Sequence, residues 1–274
     1  MSAAASRSEH QRAQGDLRVS VKQREGRSVL EGLRQEGCLK ARFPRPVDWM
    51  EVTTLNTSGG IAGGDHLRVS ITVQPGAQAT FTSQTAERFY RALDADPPAD
   101  LRTEISVGAG ASCEWLPQES ILFDRCAMDR TLAVELAGDS WFLGVESLVL
   151  GRAAMGETIR TARVRDAWRV RRDGRWLLHD AIRLGGDVTS LLAGSATGRG
   201  RGAMATILLV CPDAAARLDG LRAALAEAEA GASAWNGMLI ARVVAPEGAA
   251  LRAAVIAGLN CLREGRTLPR VWQC

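Results

Sequence analysis

The sequence predicts a mainly β protein: a large multi-stranded sheet structure, β-helical or built of stacked hairpins, with a small C-terminal α/β unit. Three observations carry this. From Leu17 to Leu184 apolar residues recur at every second position in one run after another, the spacing that turns one side of a strand towards a core. Short glycine-containing turns separate the runs, as expected where one strand ends and the next begins. Beyond Ala205 the alternation yields to continuous apolar runs and to helical spacing, which read as buried strands and amphipathic helices.

Residues 1–16 form a polar leader, expected to be disordered, without the apolar stretch of a signal peptide. The β-rich region follows over residues 17–204. Leu17, Val19 and Val21 alternate up to a turn at Glu25-Gly26. Leu67, Val69, Ile71 and Val73 run to Pro75-Gly76, and Ala77, Ala79 and Phe81 follow it. Ile105 and Val107 lead through Gly108-Ala109-Gly110 to Ala111, Cys113 and Trp115. Leu132, Val134 and Leu136 lead through Gly138-Asp139 to Trp141, Leu143 and Val145. Trp168 and Val170 meet Trp176 and Leu178 across Asp173-Gly174. Each of these turns reads as a hairpin, and the units around Gly76, Gly110 and Gly138 form a loose internal repeat. Gly185 to Gly202, rich in Gly, Ser and Arg, reads as a mobile loop.

Residues 205–274 read as a strand–helix–strand–helix unit packed on the β region, one compact domain overall. Ala205–Cys211 is the first strand, and a helix from Pro212-Asp213 places Leu218, Leu221 and Leu225 on one face before Gly231. Gly237–Val244 is the second strand. The last helix starts at Pro246, turns Leu251, Val255, Leu259 and Leu262 inward, and stops at Gly265.

Composition excludes several functions. With 46% hydrophobic and 24% charged residues over 274 positions, the chain can bury a sizeable core. A formal net charge of +3 makes no case for nucleic acid, and acids are interleaved with the arginines as on a solvated face. No apolar run approaches the ~20 residues of a membrane span, so a cytoplasmic protein is expected. Cys38, Cys113, Cys126, Cys211, Cys261 and Cys274 contain no C-x-x-C pair, and they read as reduced, mostly buried thiols.

Catalytic and retentive metal motifs are missing from the sequence. His10, His66 and His179 are the only histidines, with no H-E-x-x-H to build a closed zinc site. No G-x-S-x-G elbow is present, and the Gly198–Gly202 run lacks the strand and helix of a dinucleotide cradle. The Gly59–Asp65 loop, GGIAGGD, lacks the Gly-Lys-Ser/Thr of a nucleotide loop. Its glycines serve either a close approach to a partner or tight packing. Asp65, Glu87, Glu114, Glu146 and Asp180 lie among bulky apolar residues, so each is either an Arg-paired structural acid or part of a hydrated acidic track. Oxygen ligands along such a track would pass a divalent ion on, where a Cys/His cage would trap it. Seven tryptophans against one tyrosine leave open core packing or exposed anchors, with Trp272 near the chain end an interface candidate. A hydrolase using paired carboxylates and a small-ligand binding module using exposed tryptophans remain open on these grounds.

The stretch Leu55–Arg91 around the Asp65 loop, ending in Thr85–Arg91 (TAERFYR), is similar to the signature region of the urease accessory protein UreD (UreH) family. So are Trp115–Phe123 (WLPQESILF), Phe142–Arg152 (FLGVESLVLGR), Gly231–Trp235 (GASAW) and Leu268–Trp272 (LPRVW). The resemblance covers the chain from about Leu17 to its end. It implies a mostly β, β-helical fold with a small helical portion and no enzymatic activity. It further implies a scaffold that binds the urease apoprotein and UreF directly, reaches the GTPase UreG through UreF, and passes Ni2+ in transit through an internal passage. No cofactor is retained on this reading, and Asp65, then Glu146, then Asp180 are the acids it assigns to the nickel path.

Overall fold

The structure, a computed structural model, describes residues 12–151 and 156–273. Most of the expected leader, His10 included, lies outside them, and the first strand already begins at Gln14.

Two sheets face each other across one core. The first contains β1 (Gln14–Arg24), β2 (Arg27–Gly37), β5 (His66–Val73), β8 (Ala99–Val107), β11 (Ala127–Leu136), β13 (Thr161–Arg172) and β14 (Arg175–Asp187), in the order β14-β13-β11-β8-β5-β1-β2. The second contains β3 (Leu39–Arg42), β4 (Met50–Asn56), β6 (Gln78–Ser83), β9 (Ser112–Leu116), β12 (Trp141–Leu150), β15 (Ala203–Val210), β16 (Glu229–Trp235) and β17 (Met238–Ala245), in the order β16-β17-β15-β12-β9-β6-β4-β3. The short strands β7 (Glu87–Phe89) and β10 (Ser120–Leu122) extend it, β10 lying between β12 and β7.

The turns at Gly76, Gly108–Gly110 and Gly138-Asp139 are not hairpins. Each carries the chain across from the first sheet to the second, and each strand then pairs in parallel with its equivalent one coil later: β5 with β8, β8 with β11, β6 with β9 and β9 with β12. The corners stack as well, with Gly76 N–H donating to Ala109 O at 2.9 Å and Ala137 N–H to Val107 O at 3.0 Å. Of the two expected architectures the β-helical one is therefore correct, and the loose repeat is one turn of the coil. Alternation and a glycine turn look alike whether the chain folds back or crosses over. True antiparallel hairpins remain at Glu25-Gly26 and Asp173-Gly174.

In the last third, β15 joins the second sheet antiparallel to β12, and β17 pairs antiparallel with β15. The helices α2 (Leu218–Ala224) and α3 (Gly248–Leu262) lie on its far side, over a second apolar cluster that includes Val145, Ile207, Leu221, Val255 and Leu259. All eight residues of β15 are buried, because the first sheet covers one face and α3 the other. Residues 229–235, expected as a helix end, form the edge strand β16, paired to β17 across Asn236-Gly237. The expected loop over residues 185–202 instead completes β14 and carries α1 (Val188–Ala193). Asp187 caps that helix by accepting from Ser190 N at 3.0 Å, and Val188 and Leu192 are buried.

Candidate functional site

Polar residues interrupt the inter-sheet core at one level. On β11, Met128, Leu132 and Val134 point into this core, and Arg130 shares their phase. On β13, Asp166 shares the phase of Val164, Trp168 and Val170. On β12, Glu146 shares the phase of Phe142, Leu148 and Leu150. Strand register sets Arg130 directly beside Asp166 and aligns Glu146, Thr206 and Arg242 in one rung.

The three charges meet. Arg130 donates from Nε and Nη2 to the two Asp166 oxygens at 2.9 and 2.7 Å, and from Nη1 to Ser120 Oγ at 2.9 Å. Glu146 Oε1 accepts from Trp115 Nε1 at 2.9 Å. Glu146 Oε2 faces Arg130 Nη1 at 2.6 Å in an ion pair but has no aligned hydrogen bond. One guanidinium thus serves two buried carboxylates, Glu146 and Asp166 being 5% and 4% exposed. Burial pushes the Glu146 carboxyl up to about 7, with Arg130 opposing the shift and the nearby Asp166 adding to it.

That shift has a sign for stability. Between the ordinary value of 4.5 and about 7 the folded chain holds a proton on Glu146 that the unfolded chain has released. The contribution is fully present below 4.5 and is lost as pH rises through 7. Denaturant unfolding of the wild type is expected to show stability falling from Glu146 over this window, and Glu146→Gln to flatten that component.

A cavity of ≈ 110 Å³ adjoins the charged group, lined by Glu87, Trp115, Gln118, Ser120, Arg130 and Glu146 among others. A cleft of ≈ 230 Å³ formed by Asn56, Gly59, Gln84, Thr85 and Arg88 shares Leu39, Thr54, Val69, Ser83 and Glu87 with it. Glu87 therefore stands where cleft and cavity meet. Its Oε2 accepts from Asn56 Nδ2 at 3.1 Å, and burial pushes its carboxyl above the usual range. On the far side Arg242, ion-paired with Asp180, lines a third space of ≈ 420 Å³ with Ile182, Leu192, Met204 and Val244. Burial lowers the Arg242 guanidinium, an effect the field of Asp166 opposes.

The acids assigned on sequence are distributed differently from one another. Glu146 lies at the centre. Asp180 reaches the same layer through Arg242. Asp65 stands apart as the organiser of its loop: its buried carboxylate accepts from Ala13 N and Ala62 N, both at 2.8 Å. The loop glycines serve close packing. A Cβ on Gly60, whose φ is +144°, would lie 2.2 Å from the Tyr90 ring, and one on Gly63 would lie 2.8 Å from Ala92 Cβ. Asp65→Ala is expected to cost about 1–3 kcal/mol, because two partly buried backbone donors lose their acceptor, read as a lowered midpoint of urea unfolding.

Glu114 is buried too, but on the opposite side of the second sheet, paired with Arg263 and Arg266. His66 is exposed, its Nδ1 3.8 Å from Asp100, and exposed His179 stacks on Trp176 at 5.4 Å, so neither histidine reaches the inner layer. Trp272 is core rather than interface, 2% exposed with Nε1 donating to Leu116 O at 3.0 Å. Among the described residues no group of three His, Cys, Asp or Glu side chains could hold a metal ion. Arg130 and Asp166 escaped the sequence reading, though a signal existed: both are charged residues in phase with apolar neighbours on strands buried on that face.

Comparison with known proteins agrees over nearly the whole chain. The family model described as UreD urease accessory protein matches residues 13–273. A protein of Xanthobacter autotrophicus named urease accessory protein UreD is 40% identical over 274 residues, covering 99% of this chain and 94% of that protein. Proteins of the same name from Rhizobium leguminosarum bv. viciae and Sinorhizobium medicae are 41% and 44% identical, covering 99% of both chains and 96% of both chains respectively.

Proposed function

The chain belongs to the UreD urease accessory protein family, a family of urease maturation factors rather than of enzymes, and from that premise we propose that it delivers nickel to urease. On this reading it is a cytoplasmic scaffold that binds the urease apoprotein and UreF, with the GTPase UreG joining through UreF. Ni2+ is its cargo and is not retained. No helix is long and apolar enough to cross a membrane among the described residues.

The observation that supports a conduit is the run of adjoining spaces between the sheets that meets an acid at each stage: cleft, Glu87, cavity, then the Glu146 layer. The donors suit transit. Carboxylate and amide oxygens hold a divalent ion loosely, and soft thiolates are absent from the lining of both spaces. Cys113 is fully buried, and burial holds its thiol far above the ordinary range, so it offers no thiolate at neutral pH. Glu87 is the first acid on the route, Glu146 the second, and Asp65 supports the mouth by fixing the loop that carries Gly59.

Co-expression with the urease structural subunits and UreF, followed by pull-down on the tagged chain, tests the scaffold role. Co-purification of apo-urease is the expected result. A folded chain that brings down neither urease nor UreF would overturn the reading.

A further inference from the structure

Arg130 occupies an unusual position. It lies in the inter-sheet core with only 9% of its surface exposed, where an apolar side chain would cost less desolvation. Cavities flank the charged layer on both sides, one lined by Arg130 and Glu146, the other by Arg242. Once Glu146 is ionised the charges in contact do not balance, since one guanidinium then faces two carboxylates. Glu146, 95% buried, lines the cavity, and its Oε2 is ion-paired with Arg130 but lacks an aligned hydrogen bond. Ser120 Oγ, which accepts from Arg130, lines the same cavity.

We propose that Glu146 and Asp166 form a divalent-cation site that Arg130 masks, guanidinium and cation being alternative occupants of one place between the two carboxylates. The proposal rests on the nickel-passage reading and adds a gate to it. A dication neutralises both acids where Arg130 neutralises one, so the exchange is electrostatically favourable once the cation has shed water. Arg130 then needs a new place. It carries four rotatable side-chain bonds and adjoins the ≈ 110 Å³ cavity, which a passing cation vacates as it moves inward. Asp166 also acts on Arg242, so a cation between Glu146 and Asp166 weakens the hold of Asp166 on that second arginine. Arg242 and its Asp180 partner would form the next step. The closed arrangement keeps the core sealed, and an arriving ion opens it by competing for its acids.

Calorimetric titration of the full chain with nickel(II) alone tests this, on wild type, Arg130→Gln, Arg130→Lys and Arg130→Gln/Glu146→Gln, each checked for cooperative unfolding. Arg130→Gln unmasks both acids and is expected to bind one nickel at least about tenfold more tightly than wild type. The gain should vanish in the double variant. Arg130→Lys, which keeps the charge but cannot bridge both acids, guards against misfolding of the glutamine variant and should show a smaller gain. Wild-type-like nickel binding by the folded Lys and Gln variants would overturn the masked site. The passage reading fails separately: it falls if blocking the cleft leaves urease nickel loading intact, whatever the titrations show.

Discussion

Glu114→Ala is expected to lower folding stability by about 3–5 kcal/mol, the range for removing one partner of a buried charge pair. Glu114 is fully buried and binds Arg263 through both oxygens, Oε1 to Nε at 2.8 Å and Oε2 to Nη2 at 2.9 Å. It also accepts from Arg266 Nη2 at 3.1 Å and from Thr80 Oγ1 at 2.6 Å. Arg263 follows α3 directly and is itself 2% exposed, so alanine at 114 strands a guanidinium in the core. Arg266 lies over the Trp49 ring at 4.0 Å and near Trp141 at 5.1 Å. The same change therefore loosens the segment that joins the C-terminal residues to β9. Urea unfolding measures the loss, and pairing Glu114→Ala with Arg263→Met should recover part of it by removing the stranded charge. An unchanged midpoint in the single variant would contradict the account of this contact.

The second large effect concerns function. Glu87→Gln combined with Glu146→Gln is expected to reduce urease activation about ten- to hundredfold, on the scale of metal-site substitutions, while the chain still binds its partners. Glutamine keeps the size and the accepting oxygen, so Trp115 Nε1 and Asn56 Nδ2 retain an acceptor. Only the charge that attracts a dication is lost. Urease activity in cell extracts at limiting nickel reads the outcome, with co-purified urease as the control for assembly. Full activation by the double variant would remove the acids from the mechanism.

Much of the fold was legible in the sequence because period-two alternation records burial directly. β1, β5, β8, β11, β12, β13 and β14 contain their alternating runs, and β6 and β9 begin one residue inside theirs. The choice between hairpin and coil was not legible. Pro75-Gly76 and Asp173-Gly174 look equally like turns, yet the first joins two sheets and the second one pair of strands. The difference lies in which strands lie alongside, a long-range property that no short window contains. β16 was missed because Glu229–Trp235 is an edge strand of small residues, largely exposed, with little apolar phase to read.

The acids divide along the same line. Glu146 was recognisable from its apolar flanks and from the family-like FLGVES segment. Its dependence on Arg130 and Asp166 appears only when β11, β12 and β13 are brought together. Asp65 carried the strongest motif and has the most local role, with both carboxylate oxygens committed to backbone donors. Its prominent motif marks a demanding turn.

The most direct test of the central claim is the nickel content of urease matured with a Val69→Trp variant. Val69 lines both the cleft and the inner cavity, and tryptophan fills their junction without altering any charge. The account predicts that urease co-purifies with this variant as with wild type but carries only background nickel. Urease that co-purifies fully loaded would show that nickel does not travel between these sheets.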